Sequence, residues 1–232
     1  MREEDVDLLL APLPSGRHGL SREEVVWSQR MRLLRAVIEV AGREGYAATT
    51  VSAVIAQASV SRKTFYELFA DREDCFVAAY ELLTTRAVRR LEATFAGAAP
   101  WAERVQDGLA CALDTLAQHP HEARVMVVEV LAAGPRALER RDRFVEALVR
   151  LLAEGCEHAP GGAAVPASTP TAVVGALSEL IAGQVRCGAA DQLPAMLPDL
   201  LYCALAPFLG PGAAAEAAAG GREPLAVASR DV

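Results

Sequence analysis

Two short capped segments joined by a tight turn constrain this chain more than any other feature in it. They lie within TTVSAVIAQASVSRKTFYELFADRE, residues 49 to 73. Thr50 is a good N-cap for a helix through Ala53, Val54 and Ala58, because its hydroxyl can accept a first-turn amide. Ser61 then caps a second helix, whose Phe65, Leu68 and Phe69 point inward. Asp71 caps a third, longer helix with Asp74 in its first turn, running through Phe76, Tyr80, Leu83 and Leu91. Two short helices separated by three or four residues form a helix-turn-helix.

The rest of the chain is helical in pattern. SREE at 21 to 24 is a capping box, and Val26, Arg30, Leu34, Val37, Ile38 and Ala41 follow at helical spacing until Gly45. Further helical segments are expected at 101 to 118, 121 to 133, 136 to 157, 171 to 187 and 194 to 209, with a loop at 159 to 170. No alternating β pattern and no internal repeat stands out, so the expected fold is all-α. The expected organisation is an N-terminal arm (1–20), a helix-turn-helix domain (21–70), a helical effector-binding and dimerisation domain (71–210) and a disordered tail (211–232).

A helix that reads DNA needs an anchored face and a face of donors. Ser61, Arg62, Lys63, Thr64 and Tyr66 supply the second; Lys63 is the only lysine in the chain. Arg62 and Lys63 suit guanine edges, and Tyr66 suits a phosphate. Thr50, Ser52 and Arg72 open neighbouring helices and are expected at the DNA backbone; Arg17 and His18, on the arm, suit the minor groove. Taken alone, this polar helix start reads equally well as a solvated face. The net charge of −7 looks unfavourable, but residues 21 to 80 are neutral and the excess acid lies elsewhere.

TTVSAVIAQASVSRKTFYELFADREDCFVAAYE, with GREGYAA before it, resembles the DNA-binding domain of TetR-family transcriptional regulators over residues 30 to 80. Gly45, Tyr46, Thr50, Ala56, Val60, Ser61, Thr64, Tyr66, Phe69 and Glu73 fall on the family pattern. Two residues depart from it: Ser59 stands where a turn glycine is usual, and Lys63 where a small residue is common. The resemblance implies a homodimer on a palindromic double-stranded operator, a repressor rather than an activator.

Residues 171 to 209 carry the expected dimer interface, at Leu177, Leu180, Ile181, Met196, Leu200, Leu201 and Leu205. The segment 194 to 209 is apolar around most of its circumference, and such a helix must be covered on two sides. A symmetric copy would cover one of them. Residues 95 to 158 are the expected place for a small apolar or amphipathic effector, with Trp101, Leu109, Thr115, Met126, Glu129, Phe144 and Leu148 as candidate lining. Gln184 is a weaker candidate. Glu129, costly to bury alone, is expected to pair with Arg136, Arg140 or Arg143.

Other classes find little support. There is no nucleophile elbow, phosphate-cradling glycine loop or metal-spaced cluster, so neither enzyme nor cofactor is expected. Five scattered cysteines suggest no zinc site or disulfide framework, and no apolar run suggests a membrane span or secretory signal, so a cytoplasmic protein is expected. The alternative is a helical dimeric protein that binds a ligand or partner without touching DNA.

Overall fold

Side-chain caps set the starts of the first four helices in the computed structural model, which describes residues 21–158 and 165–220. Helix α1 (Arg22–Glu44) opens with the full capping box: the Ser21 hydroxyl accepts from the Glu24 amide at 3.2 Å, and the Glu24 carboxylate accepts from the Ser21 amide at 2.7 Å. The Ser21 amide, and after it the Ser21 hydroxyl, hold the Glu24 carboxyl below its ordinary range. Thr50 caps α2 (Val51–Ala58), Ser61 caps α3 (Arg62–Leu68) and Asp71 caps α4 (Arg72–Phe95), each by accepting the amide three residues on. Further helices are α5 (Trp101–Gln118), α6 (Pro120–Val127), α7 (Pro135–Ala153), α8 (Thr169–Arg186), α9 (Leu197–Leu209) and α10 (Pro211–Ala219). The fold is all-α, with no strand among the described residues.

Two apolar cores share α4. Its first half buries Cys75, Phe76, Tyr80 and Leu83 with Leu33 and Val37 of α1, Val54 of α2 and Phe65 of α3. Burial pushes the Cys75 thiol up to about 12, so it stays a neutral apolar filler. Val125, Val130, Ala133 and Ala137 close this core from the C-terminal side. The second core joins Trp101 and Leu113 of α5 to Val174 and Leu177 of α8 and to Leu200, Leu205 and Phe208 of α9. A boundary at residue 70 therefore divides the first core, because α4 is structural for both halves.

Three helical expectations change in detail. The segment 121 to 133 breaks at Val128 into α6 and a 3₁₀ turn, Glu129–Ala132. The segment 136 to 157 leaves α geometry after Ala153, where a Cβ on Gly155 would run into the Trp101 ring. A 3₁₀ turn, Ala190–Met196, precedes α9, as Pro194 and Pro198 interrupt regular helix there. By length and composition Ala190–Leu209 could cross a membrane, but it buries Leu193, Leu200, Leu201 and Phe208 in the second core.

The tail corrects a larger expectation. Residues 211 to 219 form α10, with Pro211 in the first turn and six consecutive helix-favouring residues before Ala219, and Ala214 is fully buried beside α9. Its composition resembles a disordered spacer, but alanine is also the strongest helix former, and the apolar side of α9 gives it a surface. The remaining expected tail, 221–232, lies outside the described residues, as do the arm residues Arg17 and His18.

α6 presses the C-terminal half onto α1. A Cβ on Gly42 would fall 2.5 Å from the His121 Cβ, 2.6 Å from its Cα and 2.8 Å from its carbonyl oxygen. Gly42→Ala should therefore overpack against backbone that cannot rotate away, at about 1–3 kcal/mol or more. At ~2–4 °C per kcal/mol for a chain of this size, calorimetry should read a fall in Tm of about 2–12 °C. An unchanged Tm would mean that α6 does not hold α1 at this point.

Candidate nucleic-acid interface and the helical-domain cavity

The turn between α2 and α3 is tightened without glycine. Ser59 takes the left-handed conformation (φ 52°, ψ 49°), and the Ser59 and Val60 amides return to the Ala56 and Ile55 carbonyls at 3.2 and 3.1 Å. The sequence sets Ser59 where a turn glycine is usual, and the structure gives it the positive φ that such a glycine takes. The sequence reading missed Arg32, whose guanidinium donates to the Ala58 carbonyl and, at 2.7 Å, to the Ser59 carbonyl. These are orphan acceptors at the end of α2. No local signal marks Arg32, because its partners stand 26 and 27 residues away.

α3 divides into the two faces a reading helix needs. Phe65 and Phe69 are buried, with the Arg30 guanidinium 4.6 Å above the Phe69 ring, and Leu68 is half-buried. Arg62, Lys63 and Tyr66 project together on the exposed side, Lys63 with 85% of its side chain accessible and Tyr66 52% exposed. Arg62 donates to the Ser52 hydroxyl at 2.8 Å, which ties the first residue of α3 to α2. Lys63 stands 3.8 Å from Glu67, an exposed pair that opens at little cost. Ser61 and Thr64 share a hydroxyl bond at 2.9 Å, and Thr50 and Ser52 are exposed at the start of α2.

Arg72 is placed differently from the expectation of a free backbone contact. It donates to the Tyr46 and Thr49 carbonyls at 3.2 and 2.6 Å and lies 4.2 Å over the Tyr46 ring. Its guanidinium thus fixes the connection between α1 and α2.

Glu129 is another correction. Its buried carboxylate accepts from the Tyr46 amide at 2.6 Å and from Arg124 at 2.8 Å, not from Arg136, Arg140 or Arg143. Those arginines look instead to α4: Arg136 binds Asp74 at 2.7 Å and Arg140 pairs with Glu81. Glu73 accepts the Arg136 backbone amide at 3.1 Å. The junction is therefore clasped by carboxylates from both sides, and Glu129 belongs to the clasp and not to a cavity wall.

A cavity of about 180 Å³ lies among α4 to α8. Leu109, Thr115, Met126, Phe144 and Leu148 line it, as the sequence suggested. Trp101 does not; it packs edge-on against Phe208, 5.3 Å between ring centres, in the second core. Leu177 and Ile181, expected at a dimer interface, also face the cavity.

Residues 33–79 match the family model described as bacterial regulatory proteins, tetR family. That segment, which spans α2, α3 and parts of α1 and α4, is a TetR-type DNA-binding domain. Its fold is similar to that of the fatty acid degradation regulator FadR from Bacillus halodurans: TM-score 0.67 at 20% identity, over 76% of this chain and 94% of that one. FadR from Bacillus subtilis, solved in complex with stearoyl-CoA, gives a TM-score of 0.63 at 19% identity, over 78% and 98% of the two chains. RolR in complex with resorcinol gives 0.57 at 16% identity, over 86% and 97%. No curated protein matches the sequence closely enough to count as a relative.

The protomer covers much of its expected dimer surface itself. Leu200, Leu201 and Leu205 are buried in the protomer's own core, where α5, α8 and α10 surround α9. They are unavailable to a partner. Leu180 and Tyr202 remain exposed, with Gly175, Ala176 and Glu179 on the outer face of α8, and Met196 is half-buried.

Proposed function

We propose that this chain is a cytoplasmic homodimeric repressor that binds a palindromic operator and is released when a small apolar or amphipathic molecule enters the α4–α8 cavity. The observation that carries the reading is α3, anchored by Phe65 and Phe69 while Arg62, Lys63 and Tyr66 are exposed together on one face. Dimerisation through the outer faces of α8 and α9 would present two such helices to successive major grooves, about 34–36 Å apart.

The route from cavity to DNA runs through two helices. α4 lines the cavity with Leu83 and Leu91 and begins in the core of the DNA-binding domain. α6 lines it with Met126 and rests on α1 at Gly42. A ligand that binds one arrangement of α4 and α6 better than another shifts the separation of the reading heads by that difference in affinity. Stearoyl-CoA and resorcinol, bound by two proteins of similar fold, mark the range of apolar and amphipathic ligands such a domain can hold.

Selection of genomic fragments by the purified protein tests this. Enrichment of fragments sharing one palindrome, with half-sites about one helical turn apart, is the expected result. Uniform retention of all fragments across moderate salt would leave a helical binding protein without an operator.

A further inference from the structure

Charge around the α4–α8 cavity is unbalanced. Its wall is apolar or neutral except at Arg86, Arg90 and Glu122, which leaves one cation in excess. Arg86 pairs with Glu122, their side chains only 10% and 18% exposed. That is the one hydrogen-bond partner of the Arg86 guanidinium among the described residues, so its other N–H donors are uncommitted. Arg90 lies one turn further along α4, exposed where it lines the cavity, and meets no carboxylate among the described residues. Two guanidinium groups four residues apart on one helix face thus meet at an apolar space that holds a single glutamate, paired with Arg86.

We propose that the effector is a small apolar acid, whose apolar body fills the cavity and whose single carboxylate binds Arg86 and Arg90. This rests on the reading of the cavity as the effector site. Glu122 stays on Arg86, so the loaded site carries two positive and two negative charges. Without the acid, Arg90 is hydrated at the exposed edge of the cavity; with it, each guanidinium gains a charge-assisted bond beside an apolar wall. Size sets the body: an apolar cavity of about 150 Å³ takes benzene, so this one suits roughly six to ten non-hydrogen atoms. Thr115 does not compete for the head group as a donor, because its hydroxyl already donates to the Cys111 carbonyl at 2.7 Å.

Isothermal titration of the full chain with octanoate, 3-phenylpropionate, octan-1-ol and octanoyl-CoA tests the assignment. The acids should bind more tightly than the alcohol. Arg90→Gln, an exposed position that leaves the fold intact, should weaken the acids by about tenfold and leave the alcohol unchanged. Glu122→Gln should tighten the acids, since it frees Arg86. Equal binding of octanoate and octan-1-ol, in the native protein and in Arg90→Gln alike, would overturn the charge assignment while leaving an effector cavity. Binding of octanoyl-CoA without octanoate would overturn it in favour of the thioester. Binding of none of the four would overturn the proposal together with the effector reading.

Discussion

Replacing Arg62, Lys63 and Tyr66 together with alanine is expected to weaken operator binding about 10³-fold, read by fluorescence anisotropy at one fixed salt concentration. A good base-edge contact is worth ~1–3 kcal/mol, and a two-fold dimer loses each contact twice, so about 4 kcal/mol is a conservative total. The fold should survive. All three side chains are exposed; the triple change gives up only the Arg62–Ser52 bond, the open Lys63–Glu67 pair and the edge contact between the Tyr66 and Phe65 rings. Alanine is the better helix former at each position, which offsets part of that loss. A thermal melt within a few degrees of the native protein, beside lost operator binding, would place recognition in α3. Equal operator affinity in the two proteins would move recognition off this helix and undo the reading of its exposed face.

The same residues show what a sequence can disclose. Caps depend on neighbours within four positions, so Ser21, Thr50, Ser61 and Asp71 were all legible. Leu109 on α5, and Phe144 with Leu148 on α7, were legible as apolar stripes of their own helices, because helical periodicity groups residues by face; that these stripes meet Thr115 and Met126 at one cavity was not. Contacts across long separations were not. Glu129 bonds to Tyr46, 83 residues earlier, and no spacing rule favours that partner over a nearby arginine. α9 shows the deeper limit. Its apolar circumference correctly required cover on several sides, but hydrophobicity does not say whose surface provides it. α10 does so from within the chain, which removes Leu200, Leu201 and Leu205 from the interface and leaves a smaller outer face on α8 and α9.

That smaller face makes Gly175→Arg the sharpest test of dimerisation. A Cβ at Gly175 meets no atom within 4 Å, so in the isolated protomer the arginine would extend into solvent. Glycine in an exposed helix interior costs ~1 kcal/mol relative to good helix formers, so the substitution should hold or slightly raise protomer stability. Between two copies packed through α8 the result reverses. Glycine and alanine at 175 and 176 permit close helix approach, whereas two opposed guanidinium groups near a two-fold axis would be crowded, desolvated and of like charge. Sedimentation at micromolar concentration should show a mass of 24.6 kDa for the variant and twice that for the native protein. Operator affinity should fall steeply with it, because a single head retains the contacts of one half-site only. Leu180→Glu, on the same outer face one turn and a half away, should act in the same direction by burying an unpaired charge. If both variants stay dimeric and keep their operator affinity, the copies meet through some other surface, and the exposure of Leu180 and Tyr202 needs a different explanation.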